Sequence, residues 1–145
     1  MTATPSVLNP IYKMIVVLLL LKQSKLKKGV TIGRIQVYLW GMSGGKNKRI
    51  LSEYRKNGTV GELPITPDPQ LRLLLAEAEQ RGWIEQVEDG VYKMRYQLTL
   101  QGQTFLYELR DMDIYKEIEK GFQEIGNLPE TILKDVNYVW SYDIL

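Results

Sequence analysis

Residues 80–109 read Q-R-G-W-I-E-Q-V-E-D-G-V-Y-K-M-R-Y-Q-L-T-L-Q-G-Q-T-F-L-Y-E-L. A helix ends at Arg81-Gly82, where glycine enters the left-handed region with no Cβ to clash. Residues 83–87, W-I-E-Q-V, form a short strand. Glu88-Asp89-Gly90 is a tight turn, because Asp-Gly supplies the positive φ values of a primed hairpin turn. On the return strand Tyr92, Met94, Tyr96, Leu98 and Leu100 fall on one face, with Lys93, Arg95 and Gln97 on the other. Thr99 is placed to cap a further helix, in which Phe105, Leu106 and Leu109 make an apolar stripe. The stretch therefore predicts a β-hairpin held between two helices.

The chain ahead of it is helical in pattern. Residues 1–8 make a flexible leader. Asn9 is a good N-cap and Pro10 suits the first helical position, opening a helix over 11–23. Its apolar residues run almost all the way round, which predicts the most buried helix of the chain. A basic loop over 24–29 follows. Thr31 caps a second helix reaching about residue 42, with Ile32, Ile35, Tyr38, Leu39 and Met42 on one face. A third helix over 69–81 buries Leu71, Leu74, Leu75 and Ala78 and turns Gln70, Arg72, Glu77, Glu79 and Gln80 outward. Between the second and third lies a segment, 43–67, too long for a turn. Residues 46–56 form an extra short helix there, with Ile50, Leu51 and Tyr54 inward and Asn57-Gly58 ending it. The rest is extended, since residues before Pro64 and Pro67 are biased away from helix. Beyond residue 109 the helical pattern continues to 125 through Ile114, Ile118 and Phe122. Asn127 and Pro129 then open a last helix.

Composition narrows the chemistry. The chain has 145 residues, 44% of them hydrophobic, enough for one domain with a real core. It has neither cysteine nor histidine. Disulfides, thiol nucleophiles, thiolate metal sites and imidazole bases are thereby excluded, and no catalysis, metal or cofactor is expected. Residues 41–46, G-M-S-G-G-K, miss the phosphate-loop pattern: only three residues separate Gly41 from Gly45, and Asn47 follows the lysine. Asp111, Asp113, Glu117 and Glu119 read as the solvated face of a helix. The apolar run over 14–21 is eight residues long, where a bilayer span needs about 20. No secretory cleavage site follows it, so a soluble, cytoplasmic protein is expected.

Charge is divided unevenly. Residues 1–56 carry eleven Lys/Arg against one acid, a net +10; residues 57–145 carry eight against sixteen, a net −8. Either the basic half meets a polyanion or an acidic partner, or the two halves neutralise each other in the fold. The candidate contact set is Lys25, Lys27 and Lys28 in the loop, with Lys46, Lys48, Arg49, Arg55 and Lys56 on the extra helix. Such a set would bind phosphates without reading sequence.

With two helices ahead of it, the hairpin region resembles the second half of a winged-helix domain; L-T-L-Q-G at 98–102 is its most specific part. The resemblance implies an α+β, mainly helical fold. A winged helix-turn-helix would cover 9–109, with an inserted helix (insert 43–67) between helices 2 and 3. A C-terminal helical extension would cover 110–145. The insertion is a departure, because the usual helix-turn-helix turn has about 3–4 residues. Such domains read DNA with the third helix in the major groove. Here Arg72 and Arg81 are offset by Glu77 and Glu79, and the hairpin tip, Glu88-Asp89, is acidic, so binding to one operator sequence is not expected.

Residues 9–21 (N-P-I-Y-K-M-I-V-V-L-L-L-L), 32–40 (I-G-R-I-Q-V-Y-L-W) and 81–84 (R-G-W-I) are similar to the small middle subunits of ABC-type three-component, Lamassu-like defence systems. That likeness covers roughly 9–109. It implies a non-enzymatic adaptor between a coiled-coil ATPase of the chromosome-maintenance type and a separate effector, in an anti-phage defence complex. Winged-helix accessory subunits of bacterial condensins are also similar, although this chain has a single winged-helix unit. The alternative function is a winged-helix DNA-binding transcription regulator that forms a homodimer through its C-terminal helices.

The final residues bear on that choice. Ile132, Val136, Val139 and Trp140 follow an i, i+4, i+7, i+8 stripe, with Leu128 ahead of it and Tyr138 and Tyr142 beside it. This segment either docks a partner or packs back on residues 11–21.

Overall fold

The computed structural model describes residues 9–24, 29–58, 63–89, 93–129 and Ile132, with the side chains of residues 88, 89, 93 and 94 outside the description. Helix α1, Pro10–Gln23, starts where Asn9 Oδ1 accepts the Ile11 amide hydrogen at 2.8 Å. Every residue from 14 to 21 is buried, so this helix forms the axis on which the other elements pack. No helix among the described residues is long and apolar enough to cross a membrane.

A two-residue strand, β1 (Val30–Thr31), precedes α2 (Ile32–Gly41), and Thr31 Oγ1 caps α2 by accepting from the Arg34 amide at 3.3 Å. Nothing in the sequence announced β1, because two residues are too few to show a period. Gly29 is the physical reason the strand can form. Its φ is +88°, and a Cβ there would lie 2.7 Å from the Tyr96 carbonyl oxygen. Only glycine lets the chain come this close to its neighbour.

Helices α3 (Gly45–Asn57) and α4 (Leu71–Gln80) follow. The extra helix expected over 46–56 is thus present, burying Leu51 and Tyr54 with Ile50 half-buried. Helix α4 buries Leu71, Leu74, Leu75 and Ala78, the four residues its periodicity selects. Gly82, at φ +78°, turns the chain into β2 (Ile84–Asp89), which pairs antiparallel with β3 (Lys93–Leu98). The sheet order is β1-β3-β2, with Val30 opposite Tyr96 and Ile84 opposite Leu98.

Two expectations for this region need correction. Glu88 and Asp89 are not turn residues: they extend β2 and pair with Met94 and Lys93. Residues 90–92, with the expected positive φ of Gly90 and the facing of Tyr92, lie outside the described residues. Leu100 does not share the strand face. The strand ends at Leu98, Thr99 caps α5 (Leu100–Leu109) by accepting from the Gly102 amide at 3.0 Å, and Leu100 stands 80% exposed on the first turn.

The helical run beyond Leu109 is also broken. Arg110 to Met112 form a turn, and α6 (Asp113–Ile125) sets off separately. No glycine or proline marks this break. The chain must turn there for the apolar stripe of α6 to reach α1 and α3. Tyr115, Ile118, Phe122 and Ile125 enter the same core as α1, followed by Leu128 and Ile132. The interior does not close at Leu109, and α6 is integral to it. The described chain is thus mainly helical, with one small antiparallel sheet.

Candidate functional site

Helix α3 carries the described part of the basic set, and the structure splits that set in two. Lys46, Arg49 and Lys56 are exposed, with Glu53 between the last two; Arg55 is exposed as well and differs from them only in its bond to α6. Their spacing of three and then seven residues puts them along one face, about 15 Å from end to end. Lys48 and Arg55 turn instead toward α6. Lys48 Nζ lies 3.7 Å from Glu124 Oε2, and Arg55 Nε donates to the Ile125 carbonyl at 2.9 Å. A guanidinium at that place satisfies a carbonyl left open at the end of α6 and sits at the negative end of its dipole. Arg55 is therefore a packing residue as much as a charge. Lys25, Lys27 and Lys28 lie outside the described residues.

The outer face of α4 is of a different kind. Arg81 Nη2 is 3.4 Å from Glu77 Oε1, and the Gln86 amide donates to both Glu79 carboxylate oxygens at 3.0 and 3.2 Å. The charges on this side are thus answered locally. In their midst Leu73 is 74% exposed. The start of the helix is fixed by Asp68. Its Oδ2 meets Lys13 Nζ at 2.7 Å, and its Oδ1 accepts from the Gln70 amide. Its backbone amide donates to the Gln36 side chain at 2.7 Å, and Gln36 Nε2 returns a bond to its carbonyl. Gln36 is buried, so α4 is anchored rigidly to α1 and α2. A surface presented on such an element is held in one orientation.

The C-terminal docking set falls partly into the interior. Leu128 is 1% and Ile132 0% exposed, so these two residues pack into the interior, as the second of the two alternatives for this segment has it. Val136, Val139, Trp140 and Tyr142 lie outside the described residues. Tyr107 on α5 is exposed, and the Arg110 guanidinium lies 3.7 Å from its ring centroid. Asp111, Asp113 and Glu117 are exposed and Glu119 half-buried; Asp113 lies in the first turn of α6, where a carboxylate complements the helix dipole. Among the described residues no group of three or more carboxylates is placed to hold a metal ion.

One cluster is invisible to periodicity. The segment leaving α6 is held by side chains of α2. The Tyr38 hydroxyl donates to the Gly126 carbonyl and accepts from the Leu128 amide, both at 3.0 Å. Arg34 Nη2 donates to Asn127 Oδ1 at 3.1 Å and to the Leu128 carbonyl at 2.8 Å. Arg34 is only 8% exposed, and its Nη1 has no hydrogen-bond partner. The one clue in the sequence is an arginine inside the run I-G-R-I-Q-V-Y-L-W, whose only other strongly polar residue is Gln36. A cavity of about 580 Å³ opens beside this cluster.

Among the described residues two phenols are shifted. Burial, with the negative charge of Glu117 added, pushes Tyr12 up to about 12, while its hydroxyl donates to the Met42 carbonyl at 3.1 Å. Burial, then the charge of Glu79, also raises Tyr96. Both therefore stay neutral near pH 7 and act as packing residues with a polar tip.

The chain matches no protein-family model, no curated protein and no solved structure.

Proposed function

We propose that this chain is a winged-helix adaptor subunit that joins other proteins and performs no chemistry of its own. In this reading α1, α2 and α4 are the three core helices, β2 and β3 the wing, and α3 the inserted helix. The observation that carries it is the outer face of α4. That is the face a DNA-reading winged helix lays into the major groove. Here Arg81 is paired with Glu77, and Leu73 projects into solvent beside them. Charge-neutral surface around an exposed leucine suits a protein contact better than a row of phosphates. The partners implied by the sequence resemblance are a coiled-coil ATPase and an effector of an anti-phage complex, in the cytoplasm. The exposed Lys46, Arg49 and Lys56 of α3 would add non-specific contact with DNA or with an acidic protein.

That same α3 stripe favours a second reading, a DNA-binding regulator. Co-expression with a coiled-coil ATPase of the chromosome-maintenance type separates the two. A stoichiometric complex that Leu73→Glu abolishes, with the variant still folded, supports the adaptor. No complex, together with protection of a single DNA sequence in footprinting, supports the regulator and removes the adaptor.

A further inference from the structure

The cavity beside Arg34 has the construction of a ligand site. Its volume, about 580 Å³, lies within the roughly 300–1,000 Å³ usual for small-molecule pockets. Leu20, Phe122, Leu128 and Pro129 give it apolar wall, and Tyr38 and Phe122 place two rings 5.6 Å apart along it. Arg34 supplies the charge. Among the described residues this guanidinium has no carboxylate partner: Nη2 bonds to an amide oxygen and a backbone carbonyl, and Nη1 bonds to nothing. None of the described residues that line the cavity is acidic. A cation more than nine-tenths buried without a counter-charge is costly, and the cost falls when an anion enters.

We propose that this cavity binds a small organic carboxylate, its apolar or aromatic body against Phe122, Tyr38 and Leu128 and its carboxylate on the Arg34 guanidinium, which must turn to bring Nη1, closed off in the empty cavity, to the ligand. One buried cation balances one negative charge, so a monocarboxylate fits better than a phosphate dianion, and the apolar wall would leave a free phosphate unsolvated. Guanidinium–carboxylate hydrogen bonds are among the strong ones. Occupancy would tie α1, α2 and α6 together at the point where the chain leaves α6. The proposal is independent of the adaptor reading, since none of its residues belongs to the outer face of α4 or the exposed stripe of α3.

Benzoate, benzyl alcohol and inorganic phosphate are the probes, titrated into the full chain by calorimetry and by amide chemical shifts. Benzoate is expected to saturate, with shifts centred on Arg34, Tyr38, Phe122 and Leu128, and benzyl alcohol to bind roughly tenfold more weakly. Phosphate is expected not to shift these residues. Arg34→Gln should abolish the preference for benzoate over the alcohol. Because that variant also removes the bond to Leu128, Gln123→Glu is the second: the exposed Gln123 lies on the rim, and a carboxylate there should weaken benzoate without unfolding the chain. Equal binding of benzoate and benzyl alcohol would overturn the proposal. So would phosphate binding as well as benzoate, or no saturation by about 10 mM, which would leave a cavity filled by water alone.

Discussion

The Tyr38 hydroxyl accepts the Leu128 amide hydrogen at 3.0 Å, joining residues ninety positions apart. The same hydroxyl donates to the Gly126 carbonyl, so one phenol satisfies both sides of the chain as it leaves α6. Tyr38→Phe keeps the ring against Phe122 but strips both bonds. The buried Leu128 amide would then have no partner, at a cost of about 1–3 kcal/mol. Urea unfolding should show a lower midpoint with an unchanged slope. A midpoint equal to that of the parent would mean that this hydrogen bond contributes nothing.

Removal of residues 127–145 should destabilise the chain. Leu128 and Ile132 fill the same interior as α1 and α6. Deleting one large buried aliphatic side chain costs about 2–5 kcal/mol, and the truncation deletes two. The shortened chain is expected to melt well below the full one, or to aggregate. If it kept the parent's melting profile while losing a partner, residues 127–145 would be a docking element and not core.

Much of this architecture is legible in the sequence because local chemistry and tertiary packing agree. Asn9, Thr31 and Thr99 are caps by sequence and caps in the structure. The apolar period of α4 selects the residues it buries. What the sequence hides depends on long-range geometry. β1 exists only because Gly29 can approach Tyr96, sixty-seven positions further on, and a two-residue strand has no period of its own. The break at Arg110–Met112 carries no glycine or proline, since it is imposed by where α6 must pack. Arg34 looks like one more helical arginine until its partners, Asn127 and Leu128, are seen to be more than ninety residues away. On α3 all five cations look equivalent, yet Lys48 and Arg55 belong to the packing against α6, which no helical periodicity reveals.

That division of α3 gives a prediction about charge. Lys46→Ala, Arg49→Ala and Lys56→Ala together should change stability little, because exposed positions away from caps and cores usually stay within about 0.5 kcal/mol each. Every one of these cations that meets a phosphate should, on removal, flatten the salt dependence of DNA binding by about 0.9 in log–log slope. Arg55→Ala should do the reverse, lowering the melting temperature by freeing the Ile125 carbonyl. The pair of measurements is a melting curve and a salt titration on duplex DNA for each variant. If Arg55→Ala changed the slope and left the melting temperature alone, the assignment of Arg55 to packing would fail.

The last prediction concerns alkaline pH. Tyr12 is raised from an ordinary value of 10.0 to about 12. Between these values an unfolded chain releases the phenolic proton and the folded chain keeps it, so deprotonation favours the unfolded state. The stability that Tyr12 contributes is therefore fully present below pH 10 and is lost as the pH climbs toward 12. Tyr12→Phe removes the titrating group along with its bond to the Met42 carbonyl. The variant should be less stable than the parent near neutrality, yet its melting temperature should fall less steeply above pH 10. Tyr96, raised in the same direction, remains in the variant, so part of the alkaline loss should persist. Melting curves for both proteins from pH 8 to about 12 test this. Parallel curves over the whole range would show that the Tyr12 phenol ionises as readily in the folded chain as in the unfolded one.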